Sequence, residues 1–211
     1  MSESQQPQKE PLVLIVSGPS GSGKSTLVQK ILELPGTLLA VSCTTRAPRK
    51  TESAGKWYNF VSEAEFQQMV ARGEFLEHAQ VFGKNWYGTP RKWLDEALAQ
   101  KKDLVLEIDV QGALQVKGKV PRSVAIFVLP PSATDLERRV RERGQDSEDE
   151  IRRRLERARQ EILNYHKYDF TIVNDDLDRA GQDVQAIALA SRCFTAQKEE
   201  RIREILKSFG G

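Results

Sequence analysis

The 211-residue chain carries 32 lysines and arginines against 30 acidic residues, so its formal net charge is only +2. This balance argues against a general nucleic-acid-binding surface. No apolar run approaches the roughly 20 residues that a membrane-spanning helix needs, which argues against a membrane protein. The two cysteines, Cys43 and Cys193, lack metal-ligand spacing and predict reduced thiols in a cytoplasmic protein.

The first ten residues are polar and predict a disordered tail, followed by one folded domain over 11–211. An apolar run at 12–16 predicts a buried strand, and the pattern at 25–34 predicts a helix. Between them the chain reads GPSGSGKS, which matches the phosphate-binding pattern G-x-x-x-x-G-K-S. Its glycines let successive N–H groups face phosphate oxygens, and the helix N-terminus adds partial positive charge.

This loop predicts an ATP site. Lys24 would reach the outer phosphates as a positive charge, and the Ser25 hydroxyl would bind the Mg²⁺ ion that accompanies ATP. The alternative, a glycine-rich turn that binds nothing, is disfavoured because a strand and a helix flank the motif. The expected ATP-binding residues of this segment are Gly18, Pro19, Ser20, Gly21, Ser22, Gly23, Lys24, Ser25 and Thr26.

Further apolar runs alternate with helical patterns, and they lie at residues 104–108, 124–129 and 170–173. Such alternation predicts an α/β fold, in which a parallel sheet is covered by helices on both faces to give a three-layer core. The core segments would be residues 11–36, 90–131 and 167–211. The last of them would end in one long helix over 178–208 that turns Cys193 inward.

The stretch 37–89 breaks this rhythm, because it is rich in glycine and aromatic residues, and predicts an inserted lobe with its own small sheet. A helix within it would span 62–72 and end at Gly73. Two arginines and two tyrosines of the lobe could together hold a second phosphate, and these are Arg46, Arg49, Tyr58 and Tyr87. Judged from the residues alone, solvated loop arginines and core tyrosines are an equally good interpretation.

Residues 132–166 are densely charged and helical, with a break at 143–144. Ser147 and Glu150 form a capping-box pattern that starts a second helix, so we expect a movable lid of two helices. Three of its arginines could neutralise a phosphoryl group in transfer, and these are Arg139, Arg143 and Arg154. Ordinary ion pairing on a helix surface, such as Glu150 with Arg154, is the alternative.

Together the segments GPSGSGKST, SCTTRAPR, GKWYNFVS, EFLEHAQVFGKNWYGT, LEIDVQGA, FVLPPS and IVNDDL resemble the guanylate kinase family over roughly residues 11–207. The resemblance implies transfer of the γ-phosphate of ATP to GMP, and to dGMP, giving ADP and GDP in purine nucleotide recycling. It implies Mg²⁺ as cofactor, ATP and GMP as partners, a GMP-binding lobe at 37–89 and a lid at 132–166. The oligomeric state stays open.

The resemblance also assigns residue roles. Lys24 and the lid arginines Arg139, Arg143 and Arg154 would be catalytic, and Asn174 would lie beside the adenine of ATP. The GMP-binding residues would be Ser42, Arg46, Arg49, Tyr58, Glu77, Tyr87, Thr89 and Asp109. For Asp109 the sequence leaves open whether it serves the base, the metal through water, or both.

The chemistry of guanine supports the role of Glu77 independently. Guanine presents its N1–H and its exocyclic amine side by side, and one ionised carboxylate can accept both hydrogen bonds. Adenine presents an unprotonated N1, which the carboxylate would repel, so one acid would attract GMP and reject AMP. Without the resemblance, a surface charge is the favoured interpretation of Glu77.

Two other functions are compatible with parts of the sequence. A catalytically silent guanylate-kinase-like module would bind partner proteins, but such modules typically lose the phosphate-binding loop. A related small kinase for another phosphorylated substrate would be expected to lack the guanine readers Ser42 and Glu77. The intact loop and both readers are present, and they favour an enzyme that acts on GMP.

Overall fold

The computed structural model describes residues 11–48, 55, 58–81, 83–142 and 147–209. The predicted disordered tail at 1–10 lies outside these residues, as do the predicted site residues Arg49 and Arg143.

The described strands are β1 (Val13–Ser17), β2 (Thr37–Leu39), β3 (Ser42–Thr44), β4 (Tyr58–Phe60), β5 (Phe75–Val81), β6 (Asn85–Pro90), β7 (Asp103–Glu107), β8 (Val124–Leu129) and β9 (Phe170–Val173). The described helices are α1 (Lys24–Leu32), α2 (Glu63–Ala71), α3 (Lys92–Gln100), α4 (Val110–Lys119), α5 (Ala133–Glu142), α6 (Glu148–Ile162), α7 (Leu177–Ser191) and α8 (Thr195–Ser208), with a 3₁₀ turn at Tyr165–Lys167. Across the described part of the chain, none of these helices has both the length and the apolar character needed to cross a bilayer.

The larger sheet has five parallel strands in the order β2-β7-β1-β8-β9. Its two faces carry separate apolar clusters, because side chains alternate along each strand. From β1, Leu14 and Val16 pack with helices α1 and α7, whereas Val13 and Ile15 pack with α3 and α4. The predicted α/β fold with a three-layer parallel core is confirmed, including the four strands read from apolar runs.

The smaller sheet, in the order β4-β3-β6-β5, forms the core of the inserted lobe together with α2. Helix α2 begins after its N-cap Ser62 and is followed by Gly73 in the left-handed region (φ 66°), as the sequence predicts. One boundary differs: β2 falls within the range predicted for the lobe, but it pairs with β7 in the larger sheet. Its three residues are too short a run to predict an edge strand.

The two lid helices, α5 and α6, pack on each other through a small apolar cluster that contains Leu136, Val140 and Ile151. The Ser147 hydroxyl accepts from the backbone N–H of Glu150, and the Glu150 carboxylate accepts from that of Ser147. This capping box confirms the predicted start of the second helix.

The prediction of one final helix over 178–208 is wrong, since the chain forms α7 and α8 with a break at 192–194. Phe194 at the break has extended backbone angles (φ −54°, ψ 137°), and Cys193 is exposed and not turned inward. Neither glycine nor proline marks this break, so the residue pattern gives no signal for it. Helix α7 buries Val184 and Ala188.

Candidate active site

A cleft of about 970 Å³ lies where the phosphate-binding loop, the inserted lobe and helix α6 meet. Its walls bring together side chains from distant parts of the sequence, including Lys24, Ser25, Ser42, Arg46, Tyr58, Glu77, Tyr87, Glu107, Asp109, Arg154, Arg157 and Glu161. The loop and α1 follow β1 at the carboxyl edge of the parallel sheet, which is where α/β folds usually bind ligands.

The phosphate-binding loop requires its glycines. Gly18 and Gly23 have φ of 138° and 97°, and a Cβ at Gly18 would lie 2.2 Å from the Val128 carbonyl oxygen. At the start of α1, the Lys24 ammonium donates to the carbonyl oxygens of Gly18 at 2.8 Å and Pro19 at 2.9 Å. The Lys24 ammonium therefore lies over the phosphate-binding loop, where phosphates would be held.

The Ser25 hydroxyl donates to the Glu107 carboxylate across 2.7 Å. Glu107 is the last residue of β7, and the sequence analysis missed it in favour of Asp109, two residues later. The available signal was its place at the end of a buried strand beside the loop. Two oxygen-bearing side chains at this distance suit a hard cation such as Mg²⁺.

Asn174 and Arg139 lie against the phosphate-binding loop but are not among the residues that line the cleft. The buried Asn174 amide donates to the Ser22 carbonyl oxygen at 2.8 Å, and a Cβ at Gly23 would meet the same amide nitrogen at 2.1 Å. The Arg139 guanidinium donates to the Asn174 carbonyl oxygen at 2.9 Å. Both residues therefore support the phosphate-binding loop from outside the cleft.

Three predicted base readers form one chain of hydrogen bonds. The Ser42 and Thr89 hydroxyl oxygens lie 3.1 Å apart, and the Thr89 hydroxyl donates to the Glu77 carboxylate at 2.7 Å. While Glu77 is ionised, the single hydroxyl proton of Thr89 goes to the carboxylate, so Ser42 is then the donor to Thr89. Glu77 is only 3% exposed, and this burial raises its pKa to about 7, with the Asp109 charge acting in the same direction.

The lobe places a cation between two phenols. Arg46 Nε donates to the Tyr87 hydroxyl at 3.2 Å, and the Arg46 guanidinium lies 5.6 Å from the centre of the Tyr58 ring. The two tyrosine rings meet edge to face, with their centroids 5.7 Å apart. Three of the four residues proposed for the second phosphate therefore lie together.

Helix α6 presents three arginines to the cleft, Arg153, Arg154 and Arg157. Arg154 Nη1 lies 3.3 Å from the Ser20 hydroxyl of the phosphate-binding loop. Arg157, which the sequence analysis missed, pairs with Asp109 at 3.2 Å and with Glu161 at 2.7 Å. The signal for it was spacing, since a residue three positions after Arg154 lies on the same helix face.

Asp109 has structural partners on both carboxylate oxygens. One oxygen accepts from the Gly112 backbone N–H at 2.9 Å and so caps helix α4, while the other pairs with Arg157. Other arginines of α5 and α6 make exposed ion pairs on the helix surface, such as Arg138 with Asp135 and Arg152 with Asp149. Pairs of this kind contribute little to stability.

Cys43 lies between Ser42 and Thr44 in β3 and is buried against Phe66 and Phe75. Burial raises the pKa of its thiol to about 11, so the thiol is uncharged at neutral pH. This packing makes it a small apolar residue of the lobe and not a nucleophile.

Comparisons with known proteins identify the family. Residues 9–191 match the family model described as "Guanylate kinase". Over 190 residues the chain is 48% identical to guanylate kinase of Salmonella paratyphi A, covering 89% of this chain and 91% of that protein. It is 47% identical to the guanylate kinase of Escherichia coli at the same coverage. A crystal structure of guanylate kinase from Anaplasma phagocytophilum superposes with a TM-score of 0.77 at 36% identity, covering 95% of both chains. The chain belongs to the guanylate kinase family.

Proposed function

We propose that this protein transfers the γ-phosphate of ATP to GMP, and to dGMP, releasing ADP and GDP or dGDP. The observation that carries the proposal is the buried Glu77 carboxylate, hydrogen-bonded to Thr89, in the same cleft as the complete phosphate-binding loop. The family membership supports the same reaction. We further propose that the reaction belongs to purine nucleotide recycling in the cytoplasm.

Glu77 would select the base. Its ionised carboxylate can accept from both the N1–H and the exocyclic amine of guanine, and the hydrogen bond from Thr89 favours this charged form. Ser42, in hydrogen-bonding distance of Thr89, would complete the base-binding edge. AMP, CMP and UMP do not offer this pair of donors, so they would leave the buried acid with Thr89 alone as its partner.

The phosphate of GMP would be held by Arg46, Tyr58 and Tyr87, which already lie in contact with one another. Its oxygen is an anionic nucleophile, so the transfer needs no general base. Lys24 would leave the loop carbonyl oxygens for the phosphates of ATP, and Arg154 would approach the transferred group from the lid. Positioning and charge neutralisation of this kind account for most catalysis of phosphoryl transfer.

The reaction would require Mg²⁺ bound with ATP. The Ser25 hydroxyl and the Glu107 carboxylate are the protein groups that fit such an ion, because they are hard oxygen donors 2.7 Å apart. When bound, the ion supplies positive charge to the phosphate oxygens. Asp109, whose oxygens are shared with the α4 N-terminus and Arg157, would act on the base side of the cleft.

We also propose that two segments move as units, the GMP-binding lobe within 37–89 and the lid within 132–166. The cleft lies between their inward faces and the phosphate-binding loop, so both must approach for the two phosphates to meet. A bisubstrate analogue should therefore reduce the radius of gyration in solution scattering. An unchanged profile with the analogue bound would contradict closure.

A coupled assay for ADP release tests the proposed reaction directly. ATP and Mg²⁺ would be supplied with GMP, dGMP, AMP, CMP or UMP, and the Lys24→Ala protein would serve as a folded control. We expect turnover with GMP and dGMP, and we expect this turnover to be lost in the Lys24→Ala control. Turnover with another base would contradict the role of Glu77, and no turnover with any nucleotide would favour a partner-binding module.

A further inference from the structure

We propose that one face of helix α4, made by Gly112, Gln115 and Lys119, positions the Glu77 carboxylate and thereby sets the strength of base selection. These residues are three, four and seven positions apart, so they share one helix face. None of them would touch the substrate; they act through Glu77 and its strand, β5. The inference rests on the proposed function of Glu77 as the reader of guanine.

Gly112 leaves the space that the carboxylate fills. A Cβ at this position would lie 2.5 Å from Glu77 Oε2 and 2.9 Å from Glu77 Cδ, far inside normal contact distance. The other oxygen, Oε1, accepts the hydrogen bond from Thr89. The carboxylate is therefore bonded on one side and packed against the helix backbone on the other, which fixes its orientation.

Gln115 and Lys119 attach the strand on both sides of Glu77. The Gln115 amide donates to the His78 carbonyl oxygen at 2.9 Å and accepts from the His78 N–H at 3.3 Å. The Lys119 ammonium donates to the Leu76 carbonyl oxygen at 2.7 Å. Since α4 packs on the larger sheet and β5 belongs to the smaller one, these bonds tie Glu77 to the core.

Such attachment affects selectivity because a carboxylate distinguishes guanine only if both of its hydrogen bonds align. A displacement of about 1 Å is enough to impair a binding constellation. Inosine monophosphate keeps the N1–H of GMP but lacks the exocyclic amine. The ratio of kcat/KM for GMP to that for inosine monophosphate therefore reports how well the carboxylate is aligned.

The test compares Gly112→Ala with Gly118→Ala, a matched change in the same helix where nothing lies within 4 Å of the added Cβ. Both changes raise helix propensity, but only the first one meets Glu77. For Gly112→Ala we expect the ratio to fall roughly tenfold, as expected from the partial loss of one hydrogen bond. The KM for ATP should stay the same, and Gly118→Ala should behave as the wild type.

An unchanged ratio in folded Gly112→Ala protein, or the same shift in Gly118→Ala, would overturn the inference. If Gly112→Ala does not fold, the exposed Lys119→Met change decides the question, since it removes the bond to Leu76 and should lower the ratio in the same direction. A ratio that stays at the wild-type value would then count against the positioning role. A wild-type protein with no preference for GMP would instead overturn the proposed role of Glu77, and this inference with it.

Discussion

The two ends of the cleft hold their charged groups in opposite ways. At the end proposed to bind guanine, Glu77 is almost fully buried and bonded to a buried hydroxyl group. At the other end, beside the phosphate-binding loop, Lys24 and Arg154 are partly exposed and bonded to atoms of that loop. A buried group without water responds strongly to one misplaced atom, whereas partly hydrated cations can exchange their present partners for phosphate oxygens. We therefore expect the first end to decide which nucleotide is used and the second to decide how fast.

The largest expected effect is at the phosphate end. In Lys24→Ala protein, turnover should fall roughly 10²- to 10³-fold, because a charge that stabilises the transition state is lost. The melting temperature should change little, since the Lys24 side chain is partly exposed and belongs to neither apolar cluster of the larger sheet. Steady-state kinetics and thermal melting of the same preparation test both statements, and near-normal kcat would contradict the mechanism.

The pH dependence of stability would test the burial of Glu77 at the opposite end of the cleft. Burial raises the Glu77 pKa from an ordinary 4.5 to about 7, so the neutral acid stabilises the fold at low pH. That contribution is lost as the pH rises through about 7. Glu77→Gln should therefore leave stability unchanged near pH 4.5 and raise it at pH 8, by up to about 3 kcal/mol. Denaturant unfolding without ligand at both values tests this, and a gain independent of pH would contradict the buried charge.

The same substitution should impair GMP use. Glu77→Gln replaces one acceptor oxygen with an amide that donates, so the KM for GMP should rise roughly 100-fold, as expected for a lost bond to a charged group. The dissociation constant for ATP should stay near the wild-type value. Calorimetry with each nucleotide separates the two, and an equal loss for both would show that Glu77 is structural.

The smallest expected effect distinguishes two arginines on one helix. Arg154→Gln should lower kcat roughly tenfold, because one of several cations near the transferred group is lost. Arg152→Gln, two residues away, removes only an exposed ion pair with Asp149 and should leave kcat unchanged. Equal effects of the two changes would contradict the distinction between cleft and surface arginines.

Features that depend on neighbouring residues could be predicted from the sequence. The glycine pattern gave the phosphate-binding loop, apolar runs gave four of the five strands of the larger sheet, and Ser147 with Glu150 gave a helix start. Each depends on contacts within a few residues, where periodicity and capping chemistry are informative.

The base pocket could not be derived in this way. The pairing of β5 with β6 places Glu77 opposite Thr89. Only this long-range register shows that Glu77 is a buried acid and not a surface charge. Glu107 and Arg157 have partners 82 and 48 residues away in the chain, so strand-end position and helix spacing could mark them as candidates but could not identify those partners. The break between α7 and α8 has no glycine or proline to announce it. The resemblance to the family assigned Glu77 a role in base recognition, whereas the neighbouring residues left both that role and a surface charge open.

The two thiols differ in burial, so their rates of alkylation can report motion of the lobe. Cys193 is exposed and should react first with an alkylating reagent, whereas Cys43 is buried and keeps its proton up to about pH 11. Because Cys43 can react only when β3 separates from its neighbours, its alkylation rate measures how often the lobe opens beside Ser42. Mass spectrometry of the unlabelled wild-type protein could rank nucleotides by how much they slow the alkylation of Cys43.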